Sequence, residues 1–122
     1  MAKTEGQIRS KKQEQRITRS LKEIGMQART QMASGAIWFA KSDVISDMFQ
    51  IEAKTKAKPS KSISVQKLWL EKIEQEAFEN NRVGATVISF GDNTDYFIIR
   101  DRDFLTLIEE LRELRERVKD NA

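Results

Sequence analysis

Apolar positions recur along this chain with two different periods. Ile17, Leu21 and Ile24 fall four and three residues apart, the spacing of one helical stripe. Ser10 followed by Gln13 has the form of a capping box opening that helix, and Gly25 suits its end. The residues before Ser10 are polar and read as a mobile lead-in. Glu14 lies on the same stripe, three residues before Ile17 and seven before Leu21. A carboxylate on an inward face is unfavourable unless it is paired or bound to a cation. Glu14 is therefore a candidate functional acid; the plainer alternative puts it at the helix edge, in water.

The period then changes. After an Ala-Ser-Gly loop at 33–35, residues 36–40 (AIWFA) predict a strand and 47–55 its neighbour, with Lys41, Ser42 and Asp43 forming a charged turn between them. Side chains alternate faces along a strand, so Phe49, Ile51 and Ala53 point into a core while Glu52 and Lys54 share the opposite face. Residues 56–64 hold the only proline, three serines and three lysines and read as a flexible loop. Leu68, Trp69, Ile73 and Ala77 mark a helix over 65–80, ended by Asn80 and Asn81. Residues 85–90 (ATVISF) form the clearest strand; Gly91, Asp92 and Asn93 turn the chain, and 95–100 return as a hairpin partner. Phe104, Leu107, Ile108, Leu111, Leu114 and Val118 mark a last helix capped near Asp103. This order predicts an α/β fold with a central mixed β-sheet flanked by helices, as one domain over 11–118 behind a flexible basic N-terminus of 1–10.

Composition narrows the chemistry. The 122 residues are 39% hydrophobic, enough for one modest core. No cysteine and no histidine are present. Disulfides, thiolate zinc sites, histidine ligands and Ser-His or Cys-His catalysis are thereby excluded. Carboxylates, lysines, hydroxyls and a bound hard cation remain. No apolar run approaches the roughly 20 residues that span a bilayer, and the N-terminus is too polar for a secretory signal. The expectation is a soluble, cytoplasmic protein with no membrane partner.

The net charge of +3 conceals segregation. Residues 1–31 carry eight basic and three acidic side chains, a balance of +5. Residues 54–67 carry five lysines and no acid, another +5, and the remainder balances at −7. Two basic zones on an acidic body suggest a face for a polyanion. Lys11, Lys12 and Arg16, Lys41 in the turn, and Lys56, Lys58 and Lys61 in the loop are the candidate phosphate contacts; the plainer alternative is solvated ends and loops.

The stretch DVISDMFQIEAK at 43–54 sets Asp43 nine residues ahead of Glu52-Ala53-Lys54. Mg²⁺ takes few carboxylates and keeps several waters. Asp43 and Glu52 can supply the carboxylates and the Ala53 carbonyl a further oxygen. Lys54 can orient an attacking water or stabilise charge on a phosphorane. Glu14 can reach a second metal or a water beside the first.

Five segments together resemble the PD-(D/E)xK nuclease superfamily, and within it the small archaeal and phage Holliday-junction resolvases: KKQEQR at 11–16, SGAIWFAKSDV at 34–44, QIEAKT at 50–55, SKSIS at 60–64 and WLEKIEQEAF at 69–78. The likeness runs from about Lys11 to Phe104. It implies a restriction-endonuclease-like core, dependence on Mg²⁺ (Mn²⁺ substituting), and catalytic, metal-binding roles for Glu14, Asp43, Glu52 and Lys54. It also implies a contact from Ser34 to the scissile region. Ser42 departs from the pattern, because many resolvases carry glycine there.

A chain this small has little left over to read base edges, whereas the shape and charge of branched double-stranded DNA can be met by basic patches. The expectation is a structure-selective endonuclease that resolves four-way junctions by paired nicks, its compactness suiting a virus-encoded enzyme. Paired nicks call for a twofold homodimer, with Trp38, Phe39, Trp69 and Phe78 available to an interface or to the core. The alternatives are a nicking, repair or exonucleolytic member of the superfamily, and a DNA-binding module that keeps the fold without catalysis.

Overall fold

The computed structural model describes residues 2–31 and 42–121. The expected strand at 36–40, the loop at 33–35, and Ser34, Trp38, Phe39 and Lys41 lie outside them.

Helix α1 runs Glu5–Glu23. Its capping box is Thr4 with Gln7, not Ser10 with Gln13: Thr4 Oγ1 accepts the Gln7 N–H at 3.2 Å, and the Thr4 N–H donates to Gln7 Oε1 at 2.9 Å. Both tetrads fit the pattern, but the Gln13 side chain is buried and engaged elsewhere, so it cannot turn back to cap. The expected flexible lead-in is accordingly helical from Glu5. The helix ends where glycine predicts. Gly25 sits at φ 94, its N–H reaches the Lys22 carbonyl, and the Met26 N–H reaches that of Leu21, a Schellman closure. Ile17 and Leu21 are buried, but Ile24 is 71% exposed because it is the C-cap, already turning off the stripe.

The described residues form five strands in the spatial order β1-β2-β3-β4-β5: β1 Ala28–Thr30, β2 Val44–Ser46, β3 Phe49–Thr55, β4 Val83–Ser89 and β5 Asp95–Ile98. β3 and β4 are parallel, in register from Phe49↔Val83 to Thr55↔Ser89, and the other neighbours are antiparallel. The parallel step is made by α2, Lys67–Glu79, crossing between them. The predicted mixed α/β sheet is thus present, with α1 against β1, β2 and β3, α2 against β3 and β4, and α3 (Asp101–Asp120) following β5.

The strand expected at 47–55 is β3, and a short strand that was not expected, β2, precedes it. The Ser46 hydroxyl accepts the N–H groups of Met48 and Phe49 at 3.2 and 2.8 Å and folds the chain back between β2 and β3. Alternation divides the faces as predicted: Ile51, with Ala85 and Val87 of β4, meets Ile17 and Leu21 of α1 in the core, and Phe49 and Ala53 pack against it. The opposite face meets α2, whose Ile73 and Ala77 are buried. The approach is close: a Cβ on Gly84 would stand 2.7 Å from the Ile73 carbonyl oxygen. The loop after β3 is pinned rather than flexible, by Lys56 N–H to Ser89 O and Ser60 N–H to Phe90 O. Among the described residues no helix is long and apolar enough to cross a membrane.

Candidate active site

The site forms where β2 stops. β2 pairs with β3 only at Val44↔Ile51 and Ile45↔Gln50, and the Asp43 N–H closes that ladder on the Ile51 carbonyl. Among the described residues, β3 has no partner on this edge beyond Ile51. The next N–H on the edge is that of Ala53, and Asp43 Oδ2 accepts it at 2.8 Å. Asp43 is therefore held by an edge that its own strand leaves unpaired. In an antiparallel ladder a residue's N–H and carbonyl leave the strand on the same side. The Ala53 carbonyl is thus directed to the edge where Asp43 sits.

Glu52 and Lys54 rise from β3 on the α2 face, with Lys54 Nζ 3.4 Å from Glu52 Oε1. Lys54 also lies 4.7 Å from the centroid of the Trp69 ring, within range of a cation–π contact. Glu14 arrives from α1 and hydrogen-bonds Asp43. It sits at the edge of the helical stripe, half-buried; the centre belongs to Gln13, which is 1% exposed. Gln13 Nε2 donates to the Lys54 carbonyl at 3.0 Å, fastening α1 to the strand that carries the site.

All three carboxyls are pushed up from their ordinary range. For Glu14 the value reaches about 7, first because burial disfavours its charge and then because Asp43 stands beside it. Burial also raises Asp43, opposed by the Ala53 N–H, Lys54 and the hydrogen bond from Glu14. Burial and then Asp43 raise Glu52, against the pull of Lys54. The contact between the two carboxyls raises Glu14 and lowers Asp43, so it favours the proton on Glu14.

Such a cluster suits a hard divalent cation. Every donor is oxygen, the chain has no histidine or cysteine to favour zinc, and a cation would relieve the repulsion that raises these acids. It is not a preformed cage: among the described residues no group of three or more acidic side chains is gathered closely enough to ligate one ion. Two carboxylates and a carbonyl meet the demand of Mg²⁺, which keeps several of its waters.

The basic residues divide. Lys11 is exposed near Glu14, and Lys56, Lys58 and Lys61 are exposed on the pinned loop. Lys12, with Arg9 and Thr55, lines a cleft of about 410 Å³ beside the end of β3. Arg16 differs. Its guanidinium grips Asp95 with Nε–Oδ2 at 2.6 Å and Nη2–Oδ1 at 2.7 Å, so it joins α1 to β5 rather than standing free for a phosphate.

Three participants escape a reading of the sequence. Trp69, read there as core or interface, is the wall behind Lys54. Glu76, seven residues further along α2, adds its charge to Glu52. Gln13 had a legible signal, four and eight residues before Ile17 and Leu21. Phe78, the other aromatic of α2, is 77% exposed and not part of the core. Compared with known proteins, the chain matches no protein-family model and no curated protein sequence.

Proposed function

We propose that this chain is a Mg²⁺-dependent, structure-selective DNA endonuclease of the PD-(D/E)xK type, acting on branched double-stranded DNA such as a four-way junction and working as a homodimer. The observation that carries this reading is that Asp43, bonded to the Ala53 N–H at the open edge of β3, stands beside both Glu14 of α1 and Glu52 of β3, the latter paired with Lys54. Burial of mutually repelling acids is unfavourable without a charge to answer them.

In this reading Asp43, Glu52 and the Ala53 carbonyl hold the ion. Mg²⁺ supplies an acidified water and charge neutralisation at the phosphate. Lys54, steadied by Glu52 and Trp69, donates a hydrogen bond to the attacking water or to the phosphate oxygen that gains charge. Glu14, poised near neutral pH, accepts or returns a proton beside Asp43. Lys11, Lys12, Lys56, Lys58 and Lys61 hold the DNA backbone, and recognition by charge and shape needs no base contacts.

The test is cleavage of a synthetic four-way junction, a linear duplex and a flapped duplex in Mg²⁺. Paired nicks confined to the junction are expected. Cutting of the linear duplex, or digestion from its ends, points to a different nuclease. Tight binding without cutting in Mg²⁺ or Mn²⁺ leaves a binding module. Asp43→Asn and Glu52→Gln should each abolish cleavage and retain binding; a variant cutting at the wild-type rate removes that residue from the site.

A further inference from the structure

Helix α3 does not behave as part of the body. It packs no more than marginally on any other element, and none of its residues is buried. Yet Phe104, Leu107, Leu111, Leu114 and Val118 follow one another at spacings of three, four, three and four. That is the a/d rhythm of a coiled-coil seam, widened on one side by Ile108 at position e. The seam is open: Phe104 is 50%, Leu114 55% and Val118 70% exposed. Among the described residues nothing in the chain covers it.

We propose that α3 is a self-association helix, its seam packing in parallel against the seam of a second copy of this chain. The flanking charges select that partner and direction. With Phe104 at position a, Glu110 falls at g and Arg115 at e. In a parallel pair each g residue faces the e residue five positions later on the other helix. Glu110 of each copy then faces Arg115 of the other, with no like charges opposed across the seam. An antiparallel pair centred on Glu110 would set that carboxylate against its own copy. The exposed area of the five seam side chains is roughly 450–500 Å² per copy, so up to about 1,000 Å² in all, about the floor for a specific interface. The inference stands without the nuclease reading. Joined to it, parallel helices would hold two bodies at one end of the pair, with two sites available to one substrate.

Light scattering across a dilution series tests it, with the measured mass expected to approach twice the 14.1 kDa chain. A mass that stays at one chain throughout overturns the proposal. Leu111→Glu with Leu114→Glu should return the mass to one chain while the thermal transition of the body persists; a dimer that survives them lies on another surface. Should that pair perturb folding, Val118→Glu, near the free end of the helix, serves in its place. Glu110→Arg should weaken association at least tenfold, and adding Arg115→Glu should restore it. Failure of that rescue rejects the parallel register. The chain has no native cysteine, so Val118→Cys reports direction: oxidation should link two copies, and a dimer that does not link is not parallel.

Discussion

The Lys54 ammonium stands 4.7 Å from the centre of the Trp69 ring and 3.4 Å from Glu52 Oε1. A strand and the helix that crosses over it thereby hold one cation between a carboxylate and an aromatic face. Replacing Trp69 with leucine keeps the helix and removes that face. Under the proposed function, junction cleavage should fall on the order of tenfold through loss of positioning, with the Michaelis constant little changed. The Lys54 methylene protons should also lose their upfield ring-current shift in the NMR spectrum. Unchanged lysine shifts would show that the contact does not persist in solution.

Glu14 gives a pH dependence with a definite sign. Its folded pKa is pushed from 4.5 up to about 7. Below the unfolded value both states hold the proton and the favourable contribution is complete. Between 4.5 and about 7 the folded state keeps a proton that the unfolded chain has lost, so stability declines as pH rises. Asp43 and Glu52, also raised, act in the same direction. In a chelator, the urea midpoint should be lower at about pH 8 than at about pH 5, and Glu14→Gln should reduce the difference. A midpoint that climbs with pH over this window would contradict the buried-acid description.

Arg16 should behave as a structural residue. Both of its short bonds to Asp95 join α1 to β5. Arg16→Ala strands a half-buried carboxylate and should lower unfolding free energy by about 2 kcal/mol in urea titration. Arg16→Lys should recover little, because a lysine cannot form the two-pronged pair. In contrast, alanine at Lys56, Lys58 and Lys61 should leave stability alone and flatten the salt dependence of DNA binding. An unchanged slope would remove that loop from the interface.

Ser42 is buried, and its Oγ accepts the Gln50 side-chain amide at 2.7 Å, while Gln50 Oε1 accepts Asn80 Nδ2 at 2.9 Å. Ser42 thus ends a polar chain running from α2 to the residue beside Asp43. Ser42→Ala leaves a buried donor unmet and should cost about 1–3 kcal/mol of stability, read from the denaturation midpoint. Stability equal to wild type would mean that water replaces the hydroxyl without loss.

Periodicity located the elements whose apolar faces are one-sided. Ile17 with Leu21, the alternation from Phe49 to Ala53, and Ile73 with Ala77 each announce a buried face, and each is buried or packed there. β1 and β2 escaped because each is three residues long, too short for any period to register. The helix start was misplaced because TEGQ and SKKQ both satisfy the capping pattern, and the choice depends on a distant strand that occupies Gln13.

The sequence by itself determined the order of the three helices with β3, β4 and β5, the sharing of one face by Glu52 and Lys54, and the exclusion of histidine and thiol chemistry, since these follow from local geometry and residue type alone. Only the tertiary structure decided which acids meet. Glu14 and Asp43 come together because β2 stops short along β3 and leaves the Ala53 N–H to the Asp43 carboxylate. It also decided that Trp69 backs Lys54, that Arg16 belongs to Asp95, and that the seam of α3 is left open. Those outcomes depend on pairings between residues far apart in the chain, which no local pattern encodes.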